Sequence, residues 1–384
     1  MAKIRILVCS DLHAYDGRGA GSEIPSSMDI SQPTNNPIKA LDVFLEKEGV
    51  PFDVLVCPGD LGHKALPIAT IWAWESIVGL AKTNDATILA TAGNHDLDSR
   101  VEYNEYDPKG MIQGLSPKFP VEEESLFHKY WSQHFCICIE KGVRFVLLNS
   151  CAFHGIGDEK DHGRLSKYTL EQMKKDVPEN SFKINILVLH HPPHNQSESG
   201  QGDGDGLKLG DDLIQWLDAR EDDWLIIYGH KHFANLSYAR GSAQPSVLLS
   251  AGSVTATPPH EYAPNGKNQV HVITIDEAEI ANHGFVGRVD SYDWYSGCDW
   301  STADDKGGLP ALCGFGYRGR NKDLVTRIDS LFLTTDSVLI ADLELKVPEI
   351  NWLDPIARQK LILSLEEKSI TYSPPRKSFI KIPS

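Results

Sequence analysis

The chain has 384 residues, 41% of them hydrophobic and 23% charged, which is ordinary for a globular protein of one large domain with an appendage or of two domains. No apolar run approaches the roughly 20 residues needed to cross a bilayer, which excludes a membrane-spanning reading. A formal net charge of −16 repels duplex nucleic acid and anionic membrane at long range unless bound cations or a local basic patch reverse the field.

Short apolar runs, rich in β-branched residues, alternate with helical patterns along the chain. Met1 to Ser10 reads as a first strand over Ile4–Val8 rather than a secretory leader, because Asp11 and His13 cut the apolar run short. Helix Ile38–Lys47, strand Val54–Cys57, helix Ile68–Lys82 and strand Thr87–Thr91 come next. Asp98 to Pro120, polar and rich in Gly, Pro and Tyr, reads as an insertion. Beyond it lie strand Phe145–Leu148, helix Leu165–Asp176 and strand Ile184–Leu189. A second insertion, Gln196 to Gly210, contains GQGDGDG but lacks the acidic spacing and terminal Glu of a calcium loop. Helix Leu209–Arg220 and strands Leu225–Tyr228, Val247–Leu249 and Val270–Ile275 complete this part. The alternation predicts an α/β protein, antiparallel or mixed where residues 225 to 275 lack long helices.

The composition changes after about Asp290. Ser291 to Gly319 is rich in Gly and aromatics, and its Trp294 and Trp300 are read as core residues or as a stacking cap over a site. A β-like segment Val338–Leu345, a helix Pro355–Lys368 and a tail, SPPRKSFIKIPS, end the chain. Residues 286–384 carry 13 Lys and Arg against 14 Asp and Glu, a net of −1, which leaves −15 on the first 285. The organisation expected is a catalytic domain over 1–285 and an appendage over 286–384 that serves as a cap, a dimerisation element or a docking site for a partner protein. Seven cysteines, an odd number without a C-x-x-C pair and mostly in apolar runs, fit a reduced cytoplasmic protein.

The chemistry lies in the residues at the strand ends. Ile4–Val8 leads to Asp11 and His13, Val54–Cys57 to Asp60, and Thr87–Thr91 to Asn94, His95 and Asp96. Ile184–Leu189 leads to His190, His191 and His194, and Leu225–Tyr228 to His230 and His232. Ligands bind at the carboxyl ends of strands in open α/β sheets, so these side chains are expected to converge. Carboxylates, imidazoles and one amide oxygen form a mixed donor set for Mn, Fe, Zn, Co or Ni. They are too many for one tetrahedral ion and suit two ions roughly 3.5–4 Å apart, bridged by a carboxylate. Each motif alone is weak; the ordered set D-x-H, G-D, G-N-H-D, H-H-P-P, G-H-x-H, each behind an apolar strand, is specific.

With that set in order, residues 1 to 285 resemble the calcineurin-like metallophosphoesterase superfamily, an α+β sandwich of mixed sheets flanked by helices. HGRLS before a helix, HHPP, an Asp/Gly-rich segment and GHKH look most like its cyclic-nucleotide phosphodiesterase-like branch. The resemblance implies that Asp11, His13 and His232 hold one metal, Asn94, His190 and His230 the other, and Asp60 bridges them. It implies that His95 stabilises charge at the phosphate or protonates the leaving oxygen, and that Asp96 orients His95. The expected enzyme is a phosphoric ester hydrolase, a phosphodiesterase, using two ions (Mn, Fe or Zn) and a bridging hydroxide as nucleophile. Cyclic nucleotides and glycerophosphodiesters are the first substrates implied. The alternatives are a DNA or RNA nuclease working with a partner protein, kept open by Arg318, Arg320, Lys322 and Arg327, a phosphomonoesterase, and an inactive scaffold. His63 is read as a surface residue at a helix start, His191, His194 and Arg164 as secondary candidates for substrate contact, and Lys231 is given no role.

Overall fold

The computed structural model describes residues 3–15, 36–98, 107–155, 162–194, 206–241, 244–256, 266–295, 299–304, 306–373 and 378–382. Its elements run β1 (Lys3–Val8), α1 (Pro37–Glu48), β2 (Val54–Cys57), α2 (Pro67–Thr83), β3 (Thr87–Ala90), α3 (Pro108–Gln113), α4 (Glu124–Gln133), β4 (Phe135–Glu140) and β5 (Val143–Leu148). They continue with α5 (Lys167–Asp176), β6 (Asn185–Val188), α6 (Gly210–Asp218), β7 (Trp224–Tyr228), β8 (Ala234–Tyr238), β9 (Val247–Ala251), β10 (Asn268–Asp276), α7 (Glu277–His283) and β11 (Gly287–Trp294). The remainder is β12 (Trp300–Thr302), β13 (Leu312–Phe315), α8 (Asn321–Leu331), β14 (Ser337–Leu339), α9 (Ile340–Lys346), α10 (Pro355–Glu366), β15 (Ile370–Ser373) and β16 (Ser378–Lys381).

Two mixed sheets face each other. The first runs β12-β11-β10-β1-β2-β3 with β13 also paired to β11, and the second runs β4-β5-β6-β7-β9-β8. Strands β1, β2 and β3 are parallel neighbours, and so are β6 and β7. The period-2 geometry of a strand sorts their side chains. Ile186, Val188, Leu225 and Ile227 enter the core shared with the first sheet, whereas Leu187, Leu189, Trp224, Ile226 and Tyr228 pack with Leu170, Met173 and Leu213 of the outer helices α5 and α6. Burial on both faces explains why these strands read as continuous apolar runs. Helix α1 begins where the Asn36 side chain accepts the N–H groups of Ile38 and Lys39 and ends at Gly49, whose φ of 64° closes the last turn.

The eight predicted strands and the α/β class are observed, and the sandwich is the mixed-sheet architecture that the resemblance implies. Several local readings are corrected. Of the β-like segment Val338–Leu345 only the first two residues lie in a strand (Ser337–Leu339), and the rest is in a helix (Ile340–Lys346), because Leu343 rather than an alternating set supplies its buried contact. The presumed tail contains β16, held centrally between β14 and β15 with Phe379 buried. Trp294 and Trp300 form no cap. Both are buried and pack 5.5 Å apart, and Trp300 Nε1 donates to the Pro37 carbonyl at 2.7 Å. Strands β11 to β13 continue the first sheet, and a separate apolar cluster that includes Leu324, Ile328, Leu343, Leu361, Leu365 and Ile370 forms the core of a C-terminal module. Most of the Gln196 to Gly210 insertion, and 99–106 of the other, lie outside the described residues.

At the amino end of β7, away from the motif-bearing loops, Asp222 is shared by two buried guanidinium groups, Arg144 at 3.2 Å and Arg220 at 2.6 Å. Removing the carboxylate leaves Arg144 with the Pro178 carbonyl and Arg220 with only the half-exposed Glu179 at 3.9 Å. Asp222→Ala is expected to cost about 3–5 kcal/mol in urea unfolding while leaving metal binding intact at permissive temperature. A loss below 1 kcal/mol would contradict this account.

Candidate metal centre

The five motif-bearing strands end at one level, and their loops bring the predicted residues together between the two sheets. Side-chain ligand atoms of Asp11, His13, Asp60 and His232 lie within 4.8 Å of one another. His13 Nε2 is 2.9 Å from His232 Nε2 and 3.3 Å from Asp60 Oδ2, and His232 Nε2 is 3.4 Å from Asp11 Oδ1. A second group forms on the other side of Asp60. His190 Nε2 is 2.9 Å from Asn94 Oδ1 and 3.4 Å from Asp60 Oδ2, and His230 Nδ1 is 3.0 Å from Asn94 Oδ1 and 3.2 Å from His190 Nε2. Asp60 Oδ2 thus faces both groups.

The backbone turns sharply to achieve this. Asp11, His13, Asp60, His230 and His232 all have φ between 44° and 72°, the left-handed region that Asp and His enter more readily than most residues. The close approach of β2 to β3 needs Gly93, where a Cβ would overlap the Asp60 carboxylate. Asp11 is held by the N–H of His230, 3.0 Å from Oδ1 and 3.2 Å from Oδ2, and by the Ser10 hydroxyl.

The donor set fits divalent ions. Ligands about 2.1 Å from one ion lie about 3.0 Å apart at octahedral and about 3.4 Å apart at tetrahedral angles, close to the separations given above; His13 Nε2 and Asp11 Oδ1 are wider apart, at 3.9 Å. His190 makes the same point by its tautomer. Its Nδ1 donates to the Pro58 carbonyl at 2.9 Å, so in the neutral ring the Nε2 lone pair faces two oxygen acceptors, Asn94 Oδ1 and Asp60 Oδ2. A cation or a proton must lie between them. Without a metal, burial opposes protonation of His190 but the Asp60 carboxylate prevails and raises it to about 9. Burial likewise opposes protonation of His13, and Asp60 raises it above the usual imidazole value. His230 moves the other way, well down, through burial and then the neighbouring His191 and His190. Burial favours the neutral acid at Asp60, but His190 and His95 hold its carboxyl well below the usual range. Among the described residues, the groups within ion-pair reach of Asp11 and Asp60 are histidines.

His95 lies beside the first group, its ring 4.7 Å from that of His13. Its backbone N–H donates to Asp60 Oδ1 at 2.8 Å, and its Nδ1 accepts the Lys64 N–H at 3.3 Å. In the neutral ring, which burial strongly favours, the proton is therefore on Nε2. His63, absent from the predicted set, stacks on His95 with ring centres 5.3 Å apart and planes 22° apart. His13, His63 and His95 bring ring nitrogens within 4.8 Å of one another. Because Nε2 of His95 carries its proton, that trio offers a donor rather than a third ligand. Only the position of His63, three residues after Asp60, signals its place in the sequence.

Asp96 does not act on the His95 ring as expected. Its Oδ2 accepts the N–H groups of Asp60 at 2.9 Å and Gly93 at 2.8 Å, and its Oδ1 those of Leu61 at 2.8 Å and Gly62 at 3.2 Å. Four backbone donors occupy both oxygens, so the side chain ties the loop after β2 to the loop after β3. Burial and the nearby Asp60 charge still push Asp96 up to about 7, against the pull of those donors. His191 is fully buried, its Nδ1 3.0 Å from Ser150 Oγ and its ring 4.5 Å from that of His230. His194 stands apart in a cavity with Asp211 and Arg240. Arg164 pairs through its backbone with Lys208.

A sequence model of the family described as calcineurin-like phosphoesterase matches residues 4–234. No curated protein matches the chain. Among solved structures it is similar to a dimetal phosphatase from Danio rerio, at 12% identity over 78% of this chain and 98% of that one with a TM-score of 0.49. It is also similar to a purple acid phosphatase from yellow lupin (Lupinus luteus) seeds, at 14% identity over 82% of this chain and 54% of that one with a TM-score of 0.50. At 14% identity the likeness to the lupin enzyme is one of fold.

The clamp role of Asp96 has a direct check. Asp96→Asn turns one acceptor oxygen into an N–H₂ group facing backbone donors, at about 1–3 kcal/mol for each N–H left unpaired. The expected result is a stability loss of about 2–4 kcal/mol together with weaker metal binding by calorimetry. Wild-type stability and affinity would show that the four hydrogen bonds do not hold the site.

Proposed function

The chain belongs to the calcineurin-like phosphoesterase family, metal-dependent phosphoester hydrolases with a binuclear centre, and from that premise we propose that it is a phosphodiesterase. One observation carries the two-ion reading: Asp60 Oδ2 lies between the two groups, 3.3 Å from His13 Nε2 and 3.4 Å from His190 Nε2. Asp11, His13 and His232 would hold one ion, Asn94, His190 and His230 the other, and Asp60 both. Bound there, the ions supply Lewis-acid polarisation of the phosphoryl group and lower the pKa of water towards neutrality.

The chain's own residues do the rest. Asp11 and Asp60, fixed by backbone N–H groups, keep the ligand geometry rigid before substrate arrives, so little reorganisation is needed during reaction. His95, with its proton on Nε2, supplies a hydrogen bond to a phosphoryl oxygen or to the leaving oxygen as charge develops there. No nucleophilic side chain is required. The diester preference is supported by HGRLS, HHPP and GHKH, which resemble the cyclic-nucleotide phosphodiesterase-like branch. A small diester also suits a net charge of −16, which disfavours a long polyanion. In the basic cluster of the C-terminal module, Arg320 pairs with Asp323 and Arg327 with Glu349, which lowers the weight of the nuclease alternative. Cys9, Cys57, Cys136, Cys138 and Cys151 are buried and form no disulfide, which supports a reducing, cytoplasmic setting.

Hydrolysis of bis-p-nitrophenyl phosphate and p-nitrophenyl phosphate, after chelation and then with Mn²⁺, tests the proposal. The diester should be cleaved faster and only with metal restored; cleavage of the monoester alone would replace phosphodiesterase with phosphatase. Asp60→Ala should abolish activity and paired metal binding. His95→Ala should keep both ions by metal analysis yet slow turnover by roughly 10²–10⁴-fold, and an unimpaired rate would remove His95 from the reaction.

A further inference from the structure

Away from the metal centre, a cavity of 650 Å³ lies between β11, the end of α1 and the C-terminal module. Its volume is that of a small-molecule site, and such sites favour junctions between packed units. Arg288, Asp290 and Tyr292 alternate along β11 and so share one face of the strand.

The charge on this wall is unbalanced. Arg288 Nε donates to both oxygens of Asp290 at 2.9 Å, its Nη2 to Asp290 Oδ1 at 2.7 Å, and its Nη1 to Glu344 Oε1 on α9 at 3.1 Å. One guanidinium between two carboxylates leaves a net negative charge, and Glu48 at the end of α1 adds another. At the rim Asp304 is already paired with Lys267 at 2.6 Å, and Lys306 is exposed.

Two aromatic rings complete the surface. Tyr292 is fixed edge-on against Phe44, ring centres 5.2 Å apart at 68°, and its hydroxyl makes no hydrogen bond among the described residues. Tyr372 of β15 also lines the cavity and attracts a cation within the chain, the Arg358 guanidinium 5.7 Å from its ring centre. Leu312 and Ile340 supply apolar surface.

We propose that this cavity binds a small organic cation, a protonated amine on an aromatic or apolar body. The ammonium would lie against the Asp290–Glu344 side, where carboxylate charge exceeds guanidinium charge. The body would rest on Tyr292, Leu312 and Ile340, gaining cation–π attraction and apolar burial together. The site is independent of phosphoester chemistry.

Calorimetric titration of the full chain with benzylamine, and with benzyl alcohol as its uncharged counterpart, provides the test. Saturable benzylamine binding is expected, with the alcohol at least about tenfold weaker. Tyr292→Leu and Glu344→Gln should each weaken the amine by about tenfold. Ala311→Phe, which fills the cavity without changing charge, should abolish binding, and Asp60→Ala should leave it unchanged. Thermal unfolding of each variant verifies the fold. No saturable binding of benzylamine, equal binding of the alcohol, or amine binding that survives Tyr292→Leu and Glu344→Gln would each overturn the proposal.

Discussion

A buried carboxylate between two groups of imidazoles is the constraint on which the architecture depends. Asp60 is 1% exposed, and its Oδ2 has His13 on one side and His190 on the other. An ionised carboxylate so far from water is tenable only when paired and hydrogen-bonded. The pairing comes from two different sheets, since His13 lies just past β1 and His190 just past β6. The sheets must therefore face each other at a fixed separation, with β1, β2, β3, β6 and β7 all ending at the same level. The apolar layer of Ile6, Val8, Val188 and Ile227 sets that separation. Asp96 sets the level by tying the loop after β2 to the loop after β3.

This arrangement concentrates strain at the strand exits. Five of the seven proposed metal ligands sit in left-handed backbone, which costs of order 1–3 kcal/mol for each residue in a sparsely populated region. Asp and His bear it better than apolar or β-branched residues. The turn also lets a strand that is buried on both faces deliver a polar side chain at its very end. The surroundings over-determine these turns. The Ser253 hydroxyl donates to the Asp11 carbonyl at 2.7 Å, the Thr255 hydroxyl to the Leu12 carbonyl, and the His13 N–H to the Asp60 carbonyl at 3.0 Å. Rigid β1, central in its sheet between β10 and β2, carries the load.

The legibility of the sequence has the same physical origin. Doubly buried strands announce themselves as apolar runs, and a polar ligand after each run marks the site, so the convergence of Asp11, His13, Asp60, Asn94, His190, His230 and His232 was legible. Elements without that contrast were not. Strand β4, FCICIE, hides behind cysteines, β8 carries a mixed Ala-Asn-Leu-Ser-Tyr pattern, and β16 comes after prolines that look like a tail. The side chains that hold the site through backbone groups were misread for a different reason. A sequence gives residue types, not which N–H a carboxylate accepts, so Asp96 looked like a partner for His95 rather than a tie between loops. His63 gave no periodic or motif signal of its own.

Backbone polarity also decides which histidine does what. His190 and His95 carry the same ring, yet a carbonyl, Pro58 O, faces Nδ1 of the first and an amide, Lys64 N–H, faces Nδ1 of the second. The carbonyl draws the proton to Nδ1 and frees Nε2 of His190 as a lone pair for a cation. The amide does the reverse, leaving His95 with a proton at Nε2 to offer to an oxygen. The two imidazoles thus become a base and a donor without any change of side chain, because the loop after β2 presents a carbonyl to one and an N–H to the other. Replacing either ring changes one group, whereas shifting the loop after β2 disturbs both. The tie made by Asp96 therefore bears on the chemistry although its oxygens touch only backbone.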